Sequence, residues 1–223
     1  MASKIIVGVD EAGRGPIIGP LVMAAAAIKE EDLVKLDYLG VKDSKLLSKE
    51  ARDELFDRLH EVLLDFRIEI IEPDAIDSAL RDPTSNLNWL EAETSARLTS
   101  DLKPSIVYVD CPSRNIEAYT AYFKNKLSAG VAENCEIVME HKADEKYRIV
   151  GAASILAKVI RDRAIAHLKE EIGENFGSGY LGDERSRKFL QENYAKYPDI
   201  FRKSWKPYQD LVADKKQKKL GEF

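Results

Sequence analysis

The run Ile5-Ile-Val-Gly-Val-Asp10-Glu-Ala-Gly-Arg-Gly-Pro16 carries a short apolar, β-branched stretch straight into two adjacent acids and then into a glycine- and proline-rich turn. A stretch this short between a charged start and a turn has the length of a strand and is too short for an ordinary helix. Asp10 and Glu11 must then stand at the rim of a sheet. Pro20 to Ile28 forms a second apolar run, close enough along the chain to return antiparallel to the first.

The same pattern recurs downstream. Ser105 to Val109 reads as a strand that ends in Asp110, and Pro112 stops its continuation. Cys135 to Met139 reads as another strand, followed by His141-Lys-Ala-Asp144. Phe66 to Ile71 alternates apolar and polar residues, as a half-buried strand does. Between these runs lie helical patterns. Ser48 can cap a helix carrying Leu55, Leu59, Val62 and Leu63, and Leu87 to Leu102 and Ile116 to Leu127 form two more. A long helix is expected over roughly Asp144 to Ile172, and a glycine loop through Gly173, Gly177 and Gly179 then surrounds Tyr180. Helical stretches near Arg185 to Tyr197 and Pro207 to Lys216 make a C-terminal appendage. Opening strands followed by strand-helix alternation, with no internal repeat, predict an α/β layer fold around a mixed sheet of five strands.

Composition narrows the function. Of 223 residues, 44% are hydrophobic and 33% charged, as in a soluble globular domain. No apolar run reaches the roughly 18 to 20 residues that span a bilayer. The start reads as a first strand, not a signal peptide. Cys111 and Cys135 make no disulfide framework or zinc set, so a reducing, cytoplasmic setting is expected. The net charge of −5 argues against a simple nucleic-acid coat protein, yet an acidic metal site itself contributes negative charge. From Arg202 to the end, Arg202, Lys203, Lys206, Lys215, Lys216, Lys218 and Lys219 outweigh Asp210, Asp214 and Glu222, and a solvated helix face and tail is the plainest reading.

Asp10 and Asp110 can meet if their strands are parallel neighbours, because open α/β sheets place their sites at the carboxyl ends of strands. Strand alternation sends Glu11 to the opposite face unless the chain turns there. Asp144 opens the long helix, where an N-cap is the structural alternative. Each acid alone is a cap, a turn or a surface charge. Together, converging carboxylates would repel unless cations neutralise them, and an oxygen-only set suits Mg²⁺ or Mn²⁺.

The segments Gly8-Val-Asp-Glu-Ala-Gly-Arg-Gly-Pro16, Gly19-Pro-Leu-Val22, Val41-Lys-Asp-Ser-Lys45, Asn86-Leu-Asn88, Tyr108-Val-Asp110, His141-Lys-Ala-Asp144 and Ala152-Ala-Ser-Ile-Leu-Ala-Lys158 resemble, in order and over nearly the whole chain, those of type 2 ribonuclease H, the ribonuclease HII family, in its archaeal form. The resemblance implies a ribonuclease H-like fold, with a catalytic domain over 1–175, a helical substrate-binding region over 176–216 and a tail over 217–223. It implies hydrolysis on the 5′ side of ribonucleotides in RNA–DNA hybrids and in duplex DNA, with two metal ions roughly 3.5–4 Å apart giving 3′-hydroxyl and 5′-phosphate ends. The catalytic and metal-binding role then falls on Asp10, Glu11, Asp110 and Asp144. Gly13, Arg14 and Gly15 would read the ribose 2′-hydroxyl, the group that separates RNA from DNA. Tyr180 would pack on the neighbouring deoxyribose, although Leu181-Gly182-Asp183 departs from the Pro-Ser-Asp of archaeal members. Lys42, Ser44 and Lys45 would touch phosphates. Lys158 and Arg161 read as structural or peripheral, and His141 as a neighbour without a catalytic role.

Gln217-Lys-Lys-Leu220-Gly-Glu-Phe223 resembles the box by which replication enzymes dock to the sliding clamp, with Gln217, Leu220 and Phe223 as anchors. A monomer with no membrane attachment is expected. Two other classes compete. An actin-like ATPase also ends its first strand in an acid and glycines, but needs two large lobes and a Ser or Thr in its phosphate loop. A noncatalytic clamp-associated nucleic-acid module would need no converging acids.

Overall fold

The computed structural model describes residues 3–41 and 48–220, the side chains of 218–220 excepted. Its sheet has five strands: β1 (Ile5–Ala12), β2 (Leu21–Lys29), β3 (Asp65–Ile71), β4 (Ile106–Asp110) and β5 (Glu136–Glu140), in the order β3-β2-β1-β4-β5. β1 runs antiparallel to β2, with Ile5 opposite Lys29 and Ala12 opposite Val22. It runs parallel to β4, with Val9 beside Val109, and β4 runs parallel to β5, with Asp110 beside Glu140. The sheet is therefore mixed, as the strand pattern predicts.

The helices are α1 (Leu33–Tyr38), α2 (Lys49–Val62), α3 (Pro73–Arg81), α4 (Leu87–Leu102), α5 (Ile116–Lys126), α6 (Ala129–Asn134), α7 (Ala143–Lys146), α8 (Arg148–Ile172), α9 (Glu184–Asn193) and α10 (Lys206–Leu220). Ser48 caps α2, its hydroxyl accepting from the Ala51 amide at 3.2 Å. The expected helix from Asp144 to Ile172 is two helices. Tyr147 leaves the helical region at φ −112°, ψ 116°, which sends its hydroxyl to Glu140 at 2.9 Å and lays its ring 4.2 Å from that of Tyr108. That anchorage breaks the helix where periodicity sees continuity. Likewise α9 stops at Asn193, and a 3₁₀ turn over Pro198–Ile200 follows.

Contacts group the chain into two compact units. The first holds the chain up to Ala12, Val22–Ile70 and Asn88–Ile160; the second holds Gly13–Leu21, Ile71–Leu87 and the chain from Arg161 onward. In the first, Ile6, Ala24, Ala26 and Ile28 from the sheet pack against Ile149, Val150, Ala152, Ala153 and Leu156 of α8, with Leu55 and Leu59 of α2 joining them. Gly8 makes this closeness possible: a Cβ there would run into the Ile149 and Val150 backbone. The second unit has its own core of Ile17, Ile18, Ile165, Phe176, Phe189, Leu190 and Phe201, ringed by Tyr194, Tyr197, Trp205 and Tyr208. Among the described residues, no helix is long and apolar enough to cross a membrane.

Candidate active site

Parallel pairing of β1 with β4 brings two strand ends level, so Asp10 and Asp110 emerge side by side. A turn after β5 then delivers Asp144 to the same edge. Lys142 holds the left-handed conformation (φ 56°) that redirects the chain into α7, and the Ala143 amide donates to Asp110 Oδ1 at 3.1 Å. Asp144 is thus not the helix cap; it sits in the first turn of α7, and Lys142 occupies the cap position. The result is a group of three carboxylates, Asp10, Asp110 and Asp144, each with an oxygen within 4.8 Å of the others. Asp10 and Asp144 are 5% and 8% exposed, so two of the three charges are held largely out of water.

Burial pushes the Asp10 carboxyl up to about 7, and the Asp110 charge adds to the rise. A hydrogen bond from Ser154, the Glu11 amide at 2.8 Å and the Lys158 charge act in the opposite direction. Ser154 is fully buried on α8, and Lys158, one turn on, donates to its hydroxyl at 2.6 Å. Lys158 therefore supports the cluster through Ser154, a closer tie than a peripheral helix residue would have. A buried group of oxygen donors, one of them a carboxyl raised by its burial, fits a hard divalent cation.

Glu11, still on β1 and opposite Met23, is not one of the three acids whose oxygens come within 4.8 Å of one another. Its charge is felt instead by Cys111 and by Tyr119 of α5, both pushed upward chiefly by burial. His141 turns Nδ1 toward the Cys111 carbonyl at 2.9 Å.

The second unit carries the remaining described candidates. Gly13 has φ +83°, and a Cβ on it would strike the Arg161 side chain and the Pro20 carbonyl; glycine there is required by the fold. Gly15 differs. A Cβ would meet only Tyr180 Cε1 at 3.7 Å, ordinary contact, so the protein's own packing does not demand glycine at this exposed position. Tyr180 lies beside it, 41% exposed, with the Arg161 guanidinium 5.2 Å from its ring centre. Arg161 is 7% exposed, lies under Gly13 and donates to the Ser178 carbonyl at 3.2 Å. Of the two readings, structural or peripheral, its contacts fit the structural one: it joins the glycine loop to the tyrosine loop. Asp183 organises the latter: its carboxylate accepts from Ser178 N at 2.9 Å and from Arg185 N at 3.0 Å, the second bond capping α9.

Arg202 had no sequence signal beyond its place in a basic stretch. It is fully buried and donates to the carbonyls of Gly13, Arg14 and Gly19. Gln217 is exposed on α10. Lys42, Ser44, Lys45 and Phe223 lie outside the described residues, as does the Leu220 side chain.

The family model for Ribonuclease HII matches residues 7–208. A Ribonuclease HII of Thermococcus sibiricus is 45% identical over 225 residues, covering 97% of this chain and 96% of its own length. Among solved structures, the ribonuclease H2 of Pyrococcus horikoshii OT3 superposes with a TM-score of 0.83 at 40% identity, covering 93% of this chain and 96% of that one. A PCNA:RNase HII complex from Archaeoglobus fulgidus gives 0.81 at 39% identity, with 92% and 96% covered.

Proposed function

Because the chain belongs to the ribonuclease HII family, we propose that it cuts on the 5′ side of ribonucleotides, in RNA–DNA hybrids and at single ribonucleotides within duplex DNA, leaving 3′-hydroxyl and 5′-phosphate ends. It is a ribonuclease H, an endonuclease of the hydrolase class, and divalent-metal dependence is general to its family. The observation that carries the reading is the convergence of Asp10, Asp110 and Asp144 at the carboxyl ends of neighbouring strands. A noncatalytic binding module has no use for three carboxylates gathered against their own repulsion.

Asp10, Asp110 and Asp144 are the proposed ligands of two Mg²⁺ or Mn²⁺ ions, with Glu11 as the fourth. Such ions, when bound, supply the charge that activates water and steadies the leaving oxygen of an in-line displacement. The residues supply position. Ser154 and the Glu11 amide fix the Asp10 carboxylate, and the Ala143 amide fixes that of Asp110. Gly13, Arg14 and Gly15 are the proposed readers of the ribose; the room left at Gly15 supports this, since a sugar can approach backbone that no Cβ shields. The half-exposed ring of Tyr180 beside Gly15 offers a face on which a deoxyribose can pack. Lys42, Ser44 and Lys45 would hold phosphates, which position a duplex without reading its sequence. Gln217, Leu220 and Phe223 would dock the chain to a sliding clamp; the PCNA complex of a relative supports this part. Under this reading the enzyme acts as a cytoplasmic monomer.

The test is cleavage of a labelled DNA duplex with one embedded ribonucleotide, run with Mg²⁺, with chelator, and with Asp110→Asn. Metal-dependent nicking 5′ to the ribonucleotide, lost in the variant, is expected. Cutting of long hybrids alone would keep the metal roles and remove the ribose-reading roles of Gly13 to Gly15 and of Tyr180.

A further inference from the structure

Arg202 is an arginine with no exposed surface in a loop of the second unit, and burying a guanidinium is costly unless its donors are satisfied. Three of its nitrogens are spent on one short segment. Nη2 donates to the Gly13 carbonyl at 2.6 Å, Nη1 to the Arg14 carbonyl at 2.8 Å and Nε to the Gly19 carbonyl at 3.1 Å. The Arg202 backbone amide donates to Ile17 O at 3.0 Å, and its guanidinium lies 5.0 Å from the centre of the Trp205 ring. A single side chain thus holds both ends of the loop from Gly13 to Gly19.

The consequence follows from peptide geometry. A trans peptide unit is planar, and its N–H points opposite to its C=O; no cis bond interrupts the described chain. Fixing the Gly13 carbonyl toward Arg202 therefore aims the Arg14 N–H away from it. Fixing the Arg14 carbonyl does the same for the Gly15 N–H. Both donors are turned to the opposite side of the loop, and Gly15 is the exposed residue where no Cβ stands in the way.

We propose that Arg202 is a positioning residue for ribonucleotide selection: by holding the Gly13 and Arg14 carbonyls it presents the Arg14 and Gly15 amides as two preset donors to the 2′-oxygen of the substrate. The inference rests on the reading that this loop recognises the ribose. A planar fork suits the task, because it reaches several carbonyls in one fixed geometry. A lysine ammonium is a point charge on a flexible stem and cannot fix two peptide planes together. An apolar side chain could fill the space but would leave the carbonyls buried and unpaired.

The experiment compares wild type with Arg202→Lys, both full-length, in Ca²⁺ to suppress cutting. It measures affinity for a duplex with one ribonucleotide and for the same duplex in all-DNA form. The readout is the ratio of the two affinities, which a merely structural role would not move, since general loosening weakens both. The ratio is expected to fall about ten-fold in Arg202→Lys, the worth of one well-oriented hydrogen bond, with all-DNA affinity nearly unchanged. A folded Arg202→Lys protein that keeps the wild-type ratio overturns the proposal. If Arg202→Lys does not fold, Arg202→Gln is read by the same criterion, because its shorter amide cannot hold the Gly13, Arg14 and Gly19 carbonyls together. A wild-type protein whose ratio is already one would sink the ribose-reading role of the loop instead, an outcome distinct from the failure of Arg202.

Discussion

At the scale of single residues, Asp10 carries a consequence for pH. Its carboxyl is raised from 3.8 to about 7, by burial first and by the Asp110 charge third, after the opposing Ser154 bond. A raised folded value means that the folded chain holds the proton more tightly than the unfolded chain. The metal-free protein therefore loses stability as pH rises from about 4 to about 7, and the loss is complete above that. Divalent cation bound at the cluster removes the loss, because it replaces the proton. The Tm gain on adding Mg²⁺ should accordingly be larger at pH 8 than at pH 5, and Asp10→Asn should flatten the metal-free slope. Equal gains at both pH values would mean that Asp10 does not hold the ion. Much at this scale was legible. Asp10, Asp110 and Asp144 each end or follow an apolar run, and a sheet has one edge where such ends can meet. Arg202 and Arg161 were not legible. Arg202 binds carbonyls 183 to 189 residues away in the chain, and backbone carbonyls leave no mark in a sequence.

At the scale of elements, the register between β1 and α8 sets the position of the acids. Gly8 stands two residues before Asp10 on the same face, and the backbone of Ile149 and Val150 occupies the space where its Cβ would be. Neither partner is the end of a flexible side chain, so Gly8→Ala must lift α8 from the sheet. Overpacking of this kind costs about 1–3 kcal/mol. The variant should melt lower than wild type, and the bond between Asp10 and Ser154 should suffer, since Ser154 rides on α8. Weaker divalent binding together with the lower Tm is the expected pair of results; a Tm within error of wild type would show that the helix accommodates the methyl. The sequence marked Gly8 only as part of a motif. Its reason is a helix packed against it from 141 residues further on, which periodicity cannot register. The break at Tyr147 was hidden similarly. Asp144 to Ile172 is helical in pattern, and the interruption comes from partners on β4 and β5, Tyr108 and Glu140. Ser48, by contrast, was readable because a cap and its target lie three residues apart.

At the scale of the whole molecule, charge bears on how the enzyme finds its substrate. The chain carries 34 basic and 39 acidic residues, for a net charge of −5, so long-range attraction to a polyanion is weak. A tether to a ring already encircling DNA would overcome this by raising the local concentration of enzyme, to about millimolar for a short flexible link. The proposed box begins at Gln217 on α10, whose residues from Ala213 through Gln217 are exposed and add nothing to the core of the second unit. The relevant quantity is the ratio of cleavage rates with and without the clamp, at physiological salt and low enzyme concentration. That ratio should exceed one in wild type and fall close to one in Phe223→Ala, because the aromatic anchor supplies most of the pocket contact in a peptide this short. It should also grow with ionic strength over the range in which the clamp stays closed on DNA, since salt weakens the direct electrostatic route and leaves apolar docking intact. A gain that survives Phe223→Ala, or one that shrinks as salt is added, would show that the clamp acts through charge on α10 and not through the tail.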